Sequence, residues 1–438
     1  MEMIISDLSK YIIMVFMTIY ALESILYFKY KSEKIKNGVY TRQIICMFVV
    51  HFVGFAAICL ETSDATNIIF YGFQQILLFA TVALFRVVYQ DANRLLVNNM
   101  CLLLSIGFVV LTRLSFQKAV RQVVIVAISI LIGLFIPYFV KRLTFLKKLY
   151  WIYAVVGVGF LGIVFLLGAV TNGSKLSFSI LGVSFQPSEV VKIIFVFFVA
   201  SILTKSKSFL NVVIATTIAG IHVMILVLSK DLGSALIFFV VYLGMLFVAT
   251  SNYLYLLLGM LGGTAAGVVA ATLFSHVRVR LLAYKNPWGH IDGAGYQIAQ
   301  SLFAIGTGGW FGMGIYQGNP TTIPYVEADF IFSAIAEEFG VIFSIAMIVV
   351  CLSSFFVVIQ VVYRLKDEFY RYVGLGLGIL YIFQIFLTIG GGTKFIPLTG
   401  VTLPLVSYGG TSVLSTIVVF SIIQGLYLVQ AKEGNGND

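Results

Sequence analysis

The chain has 438 residues, of which 60% are hydrophobic and 11% charged, and its mean hydropathy is +1.03. These values exclude a soluble globular domain, and apolar runs of about 18 residues or more, repeated along the whole length, predict an all-α polytopic membrane protein. The formal charge of +10 is scattered between those runs, a pattern set by membrane topology and lipid phosphates, so membrane lipids are expected partners and nucleic acid is not.

The opening MEMIISDLSK is acidic before it is basic, and no small-residue cleavage site follows, so no cleaved signal peptide is expected. Run lengths predict about thirteen spans, near 11–28, 44–60, 67–88, 95–112, 123–140, 149–169, 187–204, 211–229, 232–250, 253–273, 329–362, 373–390 and 411–430. Basic loops (Lys29 to Arg42, Arg86 to Arg94, Lys141 to Lys148, 205–207 and 364–371) alternate with loops that are acidic or neutral. That order predicts an external N-terminus, a cytoplasmic C-terminus and an external position for the long loop 274–328. Arg113, Lys118, Arg121, Lys175, Lys230, Arg278, Arg280, Lys285 and Lys394 fall on or near the outer side, against the topology rule. An anionic ligand at that surface explains them, with lipid phosphate as the alternative. Cys46, Cys59, Cys101 and Cys351 lie in or beside apolar runs without metal spacing and are read as buried apolar residues.

Three stretches carry polar groups into apolar surroundings. In QPSEVVK, Pro187 suits a first helical position, and Glu189 and Lys192 share a helix face, where each needs the other at membrane depth. In SKDLGSA, Asp231 precedes a new span and suits its N-cap. From Asn286 to Gly340 the chain is too polar and glycine-rich to cross as one helix, yet too aromatic to be disordered. Its Gly306, Gly308, Gly309, Gly312 and Gly314 are read as permitting tight turns and close backbone approach to a ligand. It ends in Glu327 and Asp329 at the head of an apolar helix, where an acid is costly unless it faces water or a partner. Dinucleotide and phosphate-loop fingerprints are absent, His51, His222, His276 and His290 form no metal motif, and Ser407 in SYGG is not a nucleophile elbow.

Taken together and in order, LTRLSFQKAVRQ, QPSEVVK, KDLGSA, GAGYQIAQSLFAIGTGGWFGMG, DFIFSAIAEEFG and PLVSYGGTS resemble the SEDS family (shape, elongation, division and sporulation), of which RodA, FtsW and SpoVE are members. The resemblance implies a ten-span core over 93–430, preceded by an accessory region of about three spans at 1–92 and followed by a tail at 431–438. It also implies a peptidoglycan glycosyltransferase that polymerises lipid II outside the cytoplasmic membrane and works with a class B penicillin-binding protein. Asp329 matches the family's catalytic aspartate, and Glu189 and Lys192 match its QPSE glutamate and following lysine. Arg280, Lys394, Gln297 and Ser407 complete the candidate substrate contacts. Two departures mark a divergent subgroup: Glu327-Ala328 stands before the aspartate, and GSKLSFSILGVSF lacks the Arg-Trp pair that often precedes QPSE.

The chemistry suits the residues. A partly desolvated carboxylate is a stronger base for the acceptor hydroxyl, and cations steady the leaving diphosphate. No cofactor is required by the sequence, and a divalent cation, magnesium or manganese, is the one addition left open. Inversion at the anomeric carbon needs one base and no covalent sugar intermediate. The competing readings are a lipid II flippase or transporter, which the intramembrane pair and broken helices also suit, and a non-catalytic scaffold of the wall-synthesis machinery.

Overall fold

A computed structural model describes residues 2–142, 144–171, 174–180 and 183–435. Thirteen of its helices are long and apolar enough to cross a membrane, matching the predicted runs one for one. The first three spans are α1 (Glu2–Leu26), α2 (Glu33–Thr62) and α3 (Ala65–Val88). Then follow α4 (Arg94–Leu114), α5 (Phe116–Arg142), α6 (Tyr150–Leu167), α7 (Pro187–Lys205), α8 (Phe209–Leu228), α9 (Leu232–Thr250) and α10 (Tyr253–Leu273). The long loop holds two short helices, α11 (Ser275–Lys285) and α12 (Tyr296–Gly308), and the chain closes with α13 (Ile331–Arg364), α14 (Glu368–Gly392) and α15 (Gly410–Asn435).

Polar side chains start several helices by accepting from first-turn N–H groups: Asp64 from Thr66, Asn93 from Leu96, Asp231 from Ser234 and Asp367 from Phe369. Pro187 takes the first position of α7, as expected. The centre of the bundle is α4, buried from Leu95 to Thr112. Helices α1–α3 wrap it, with α1 against α2 and α13, α2 against α4, and α3 against α4 and α5. Membrane-deep hydrogen bonds fix this arrangement: Tyr20 donates to Asn99 (3.0 Å), and Asn99 donates to Ser353 (2.7 Å) and Ser354 (3.0 Å) on α13. Gln43 on α2 donates to Ser24 on α1 and accepts from Asn98 on α4. In hydrocarbon such groups have no water to turn to, so α1 and α2 are bound into the same packed unit as α4 and α13. At the opposite extreme, α10 has no buried residue and packs chiefly on α9.

Three expectations change. The segment between α6 and α7 is an antiparallel ribbon, β1 (Ala169–Thr171), β2 (Ser174–Ile180) and β3 (Val183–Phe185), with Val170 opposite Lys175 and Ile180 opposite Val183. Its alternating Ser177-Phe178-Ser179-Ile180 has the period of a strand. Gly173, Leu181 and Gly182 of that stretch, and residues 436–438 of the expected tail, lie outside the described residues. The predicted run 329–362 is two helical pieces, because Gly340 (φ +85°, ψ 171°) breaks α13. Cys59 is partly exposed, whereas Cys46, Cys101 and Cys351 are buried, and all four are free thiols.

Candidate functional site

The break at Gly340 leaves the carbonyls of Glu337 and Glu338 and the N–H groups of Val341 and Ile342 outside any helical ladder. The glycine-rich loop after α12 supplies all four partners. Met313 N donates to Glu337 O (2.9 Å), Gly314 N to Glu338 O (2.9 Å), Val341 N to Gly309 O (2.9 Å) and Ile342 N to Trp310 O (3.2 Å). Irregular backbone at membrane depth survives only with such internal partners. A Cβ on Gly308 would collide with the Ala336 carbonyl, and one on Gly312 with the Glu338 carbonyl. The close approach that Gly308 and Gly312 allow is to the 336–341 backbone.

Arg113 and Lys118 also have protein partners in place of the anionic ligand expected of them. Arg113 is paired with Glu338 (2.9 Å), donates to Gly318 O (3.3 Å) and lies 4.1 Å from the Tyr316 ring centroid. Lys118 is paired with Glu327. The C-terminal part of the long loop, at Gly318 and Glu327, and the start of α13, at Glu338, are thus clamped to the region joining α4 and α5.

Asp329 sits in the turns between Pro324 and Phe330, half-buried. Its N–H donates to Tyr325 O (3.1 Å), and its carboxylate makes no hydrogen bond or ion pair among the described residues. Arg280 on α11 stands opposite. A Cβ built on Gly400 (φ +76°) would lie 3.6 Å from Arg280 Nη2 and 3.7 Å from Asp329 Oδ2, so the two charges flank that glycine without touching. Arg280 is held there by the carbonyls of Leu398 (3.3 Å) and Thr399 (2.9 Å). Burial pushes the Asp329 carboxyl up to about 6, with Arg280 pulling it down and Glu327 pushing it further up.

The loop carrying Gly400 is braced against the aspartate's own turn. Tyr408 N donates to Glu327 O (2.7 Å), and Ser407 Oγ donates to Ala328 O (2.6 Å) while accepting from Leu403 N (2.9 Å). Gln122, the last residue of the LTRLSFQKAVRQ stretch, donates to Ser407 O (2.9 Å), a partner 285 residues away that the sequence does not mark. Ser407 is buried and its hydroxyl fully used, so it positions the Asp329 turn and does not face a ligand.

Below Gly400 lies a cavity of about 210 Å³, lined among others by Glu189, Asp231, Gly400, Thr402 and Thr411. Glu189 and Lys192 are paired as expected (2.9 Å), and Ser415 donates to Glu189 while Lys192 also donates to Gln384. With its side chain 1% exposed, Lys192 is engaged inside the protein and supports Glu189 from behind. Asp231 caps α9 and also accepts from Gln186 and Ser188. Lys394 is half-buried at φ +57° just past α14, and Gln297 is half-buried on α12; no contact among the described residues ties either to Asp329. No group of three His, Cys, Asp or Glu converges among the described residues. Asp329 and Glu327 are the two carboxylates of this turn, and Lys118 already engages Glu327.

Residues 93–431 match the Cell cycle protein family of FtsW, RodA and SpoVE. The chain is 30% identical over 358 residues to "Peptidoglycan glycosyltransferase RodA" of Mycobacterium bovis, covering 75% of this chain and 76% of that one. It is also 30% identical over 329 residues to "Probable peptidoglycan glycosyltransferase FtsW" of Alcanivorax borkumensis, covering 71% and 84%. Among solved structures it superposes on a chain from "Structural coordination of polymerization and crosslinking by a peptidoglycan synthase complex" with TM-score 0.67, at 22% identity over 77% of this chain and 98% of that one. On the rod shape determining protein RodA of Thermus thermophilus the TM-score is 0.60, at 20% identity over 78% and 98%. The two structural likenesses concern the fold; α1–α3 precede the family match.

Proposed function

Since the chain belongs to the FtsW, RodA and SpoVE family of cell cycle proteins, we propose that it is an inverting peptidoglycan glycosyltransferase in which Asp329 is the general base for lipid II polymerisation. The observation that carries this reading is the state of that carboxylate: half-buried, without a hydrogen bond, raised to about 6 and facing a fixed guanidinium. A general base works best when its pKa lies near the operating pH. Asp329 takes the proton from the 4-hydroxyl of the acceptor GlcNAc. The freed oxygen attacks the anomeric carbon of the donor sugar, the bond from that carbon to the phosphate oxygen breaks, and the polyprenyl diphosphate leaves with the electron pair. Arg280, whose Nη1 is held by two carbonyls, turns its remaining donors to the developing diphosphate charge. The proton passes from Asp329 to water.

In this reading loop 274–328 lies outside the cytoplasmic membrane, with the N-terminus outside and the C-terminus inside. Lys34 should then resist an impermeant thiol reagent after substitution by cysteine, and a cysteine at His290 should react. The partner is a class B penicillin-binding protein, which the likeness to one member of a peptidoglycan synthase complex supports. The test is polymerisation of labelled lipid II by purified protein. Glycan chains from the native chain, and none from an Asp329→Asn protein at least as stable, are expected. Transport of lipid II without polymer would favour the flippase, and polymer from Asp329→Asn would remove Asp329 as the base.

A further inference from the structure

At the end of the bundle away from Asp329, the turn after α1, the start of α2, the last turn of α13 and α15 enclose a cavity of about 470 Å³. Three bases line it: Lys31, Lys36 and Arg364. Lys36 is paired with Glu33 (2.8 Å), while Lys31 and Arg364 are exposed and have no carboxylate or hydrogen-bond partner among the described residues. Glu433, the nearby acid on α15, accepts from the Lys366 backbone N–H. Three bases thus line the cavity and no carboxylate does, Glu33 pairing with Lys36 alone. Tyr27, Tyr427 and Gln430 add hydroxyl and amide donors to the same walls.

A second space, also about 470 Å³, continues from the first along the membrane-facing side of α1 and α13. The two share Phe28 and Gln360, and Phe28 packs edge-on to Phe356 at their junction (6.0 Å between centroids). Ile25, Val349, Leu352 and Phe356 make the second space almost wholly apolar, and Ile25 and Phe356 are half exposed to the hydrocarbon. A basic, polar cavity at a membrane edge opening into an apolar groove along the helices has the shape of an amphiphile.

We propose that this composite site holds one anionic phospholipid, with its headgroup phosphate among Lys31, Lys36 and Arg364 and an acyl chain in the α1–α13 groove. Each half argues against a simpler occupant. A free phosphate has no use for the groove. A neutral lipid leaves two unpaired cations uncompensated, and a partner helix in the groove leaves the basic cavity empty. The site joins α1 and α2, which precede the family match at residue 93, to α13 and α15 within it, and it uses no residue of the Asp329 region, so it is independent of the catalytic reading. The accessory helices thereby fasten α1 to α13 through a lipid at the membrane edge.

The test uses the full chain in phosphatidylcholine nanodiscs, titrated with phosphatidylglycerol and, separately, with glycerol phosphate. Thermal unfolding and native mass spectrometry are the readouts. Saturable stabilisation and a retained phosphatidylglycerol are expected. Lys31→Gln combined with Arg364→Gln should weaken the apparent affinity by roughly tenfold or more, since each base near an anionic surface contributes appreciably. Leu352→Trp, which fills the groove and spares the cations, should weaken it as well. Equal stabilisation by glycerol phosphate would make this a soluble-phosphate site and overturn the lipid. Equal stabilisation by phosphatidylcholine alone, a co-purifying protein displaced by neither lipid, or an unchanged affinity in both variants would overturn the proposal too.

Discussion

Two arginine–carboxylate pairs stand on the same side of this molecule, and only one is closed. Arg113 and Glu338 touch at 2.9 Å, and both are further engaged, by Gly318 O and by Tyr316 N. Arg280 and Asp329 flank Gly400 without contact, and the carboxylate is left unbonded. The first pair has used its charge within the protein and holds the glycine loop over the broken helix. The second keeps its charge available. Residue type does not separate structure from chemistry here; the completeness of the hydrogen bonding does.

The comparison breaks if opening a closed pair changes chemistry and not stability. Arg113→Ala strands Glu338, and Lys192→Ala strands Glu189; each should cost about 3–5 kcal/mol in unfolding free energy, as buried pairs do on losing one partner. Denaturant titration in detergent measures it, and a charge swap at 189 and 192 should recover part of the loss. A fully stable Lys192→Ala protein would mean that the pair is not closed.

Asp329→Asn should do the opposite. It should lower polymerisation by at least about a hundredfold, the low end for losing a general base, with the fold kept. Its stability effect depends on pH. The folded-state pKa of about 6 lies above that of an unfolded aspartate, so the native carboxylate's contribution is complete below about pH 4 and is lost as pH rises through about 6. Asp329→Asn should therefore raise the melting temperature relative to the native chain at pH 7.5 and leave it little changed at about pH 3.5.

The same pKa sets an acid limb. Between pH 7 and pH 5 the ionised fraction of a group titrating near 6 falls from about nine-tenths to about one-tenth, and initial rates should fall about tenfold with it. A flat profile across that range would show that another group limits the reaction. The half-exposed pair Lys118–Glu327 is intermediate and sharpens the contrast. Lys118→Gln should cost less than about 1 kcal/mol, while the unscreened Glu327 charge moves the acid limb to higher pH.

The spans were legible because bilayer thickness sets a run length that any hydropathy count finds. Asp329 was legible because an acid at the head of an apolar run needs a reason. The break at Gly340 was not, since apolar runs on both sides of Glu337-Glu338 read as one span and a lone glycine does not by itself announce a non-helical backbone. Nor was the engagement of Arg113, because its partner lies 225 residues away; read alone, a base on the outer side points to a ligand. The same limit hid Gln122 and Gln384, whose worth lies in which carbonyl or ammonium they meet. The strand period of 177–180 was present in the letters but short beside the helices around it.

The splint across Gly340 also bears on how the chain is made. Residues 309–314, which supply its partners, leave the ribosome before residues 337–342, which need them. When the broken segment enters the membrane, the complementary backbone already waits beside it, tethered by fewer than thirty residues. A circular permutation that placed the loop after the span would reverse that order and leave four backbone groups facing lipid until synthesis ended. The present order of segments thus protects the weakest point of the longest helix at the moment of insertion.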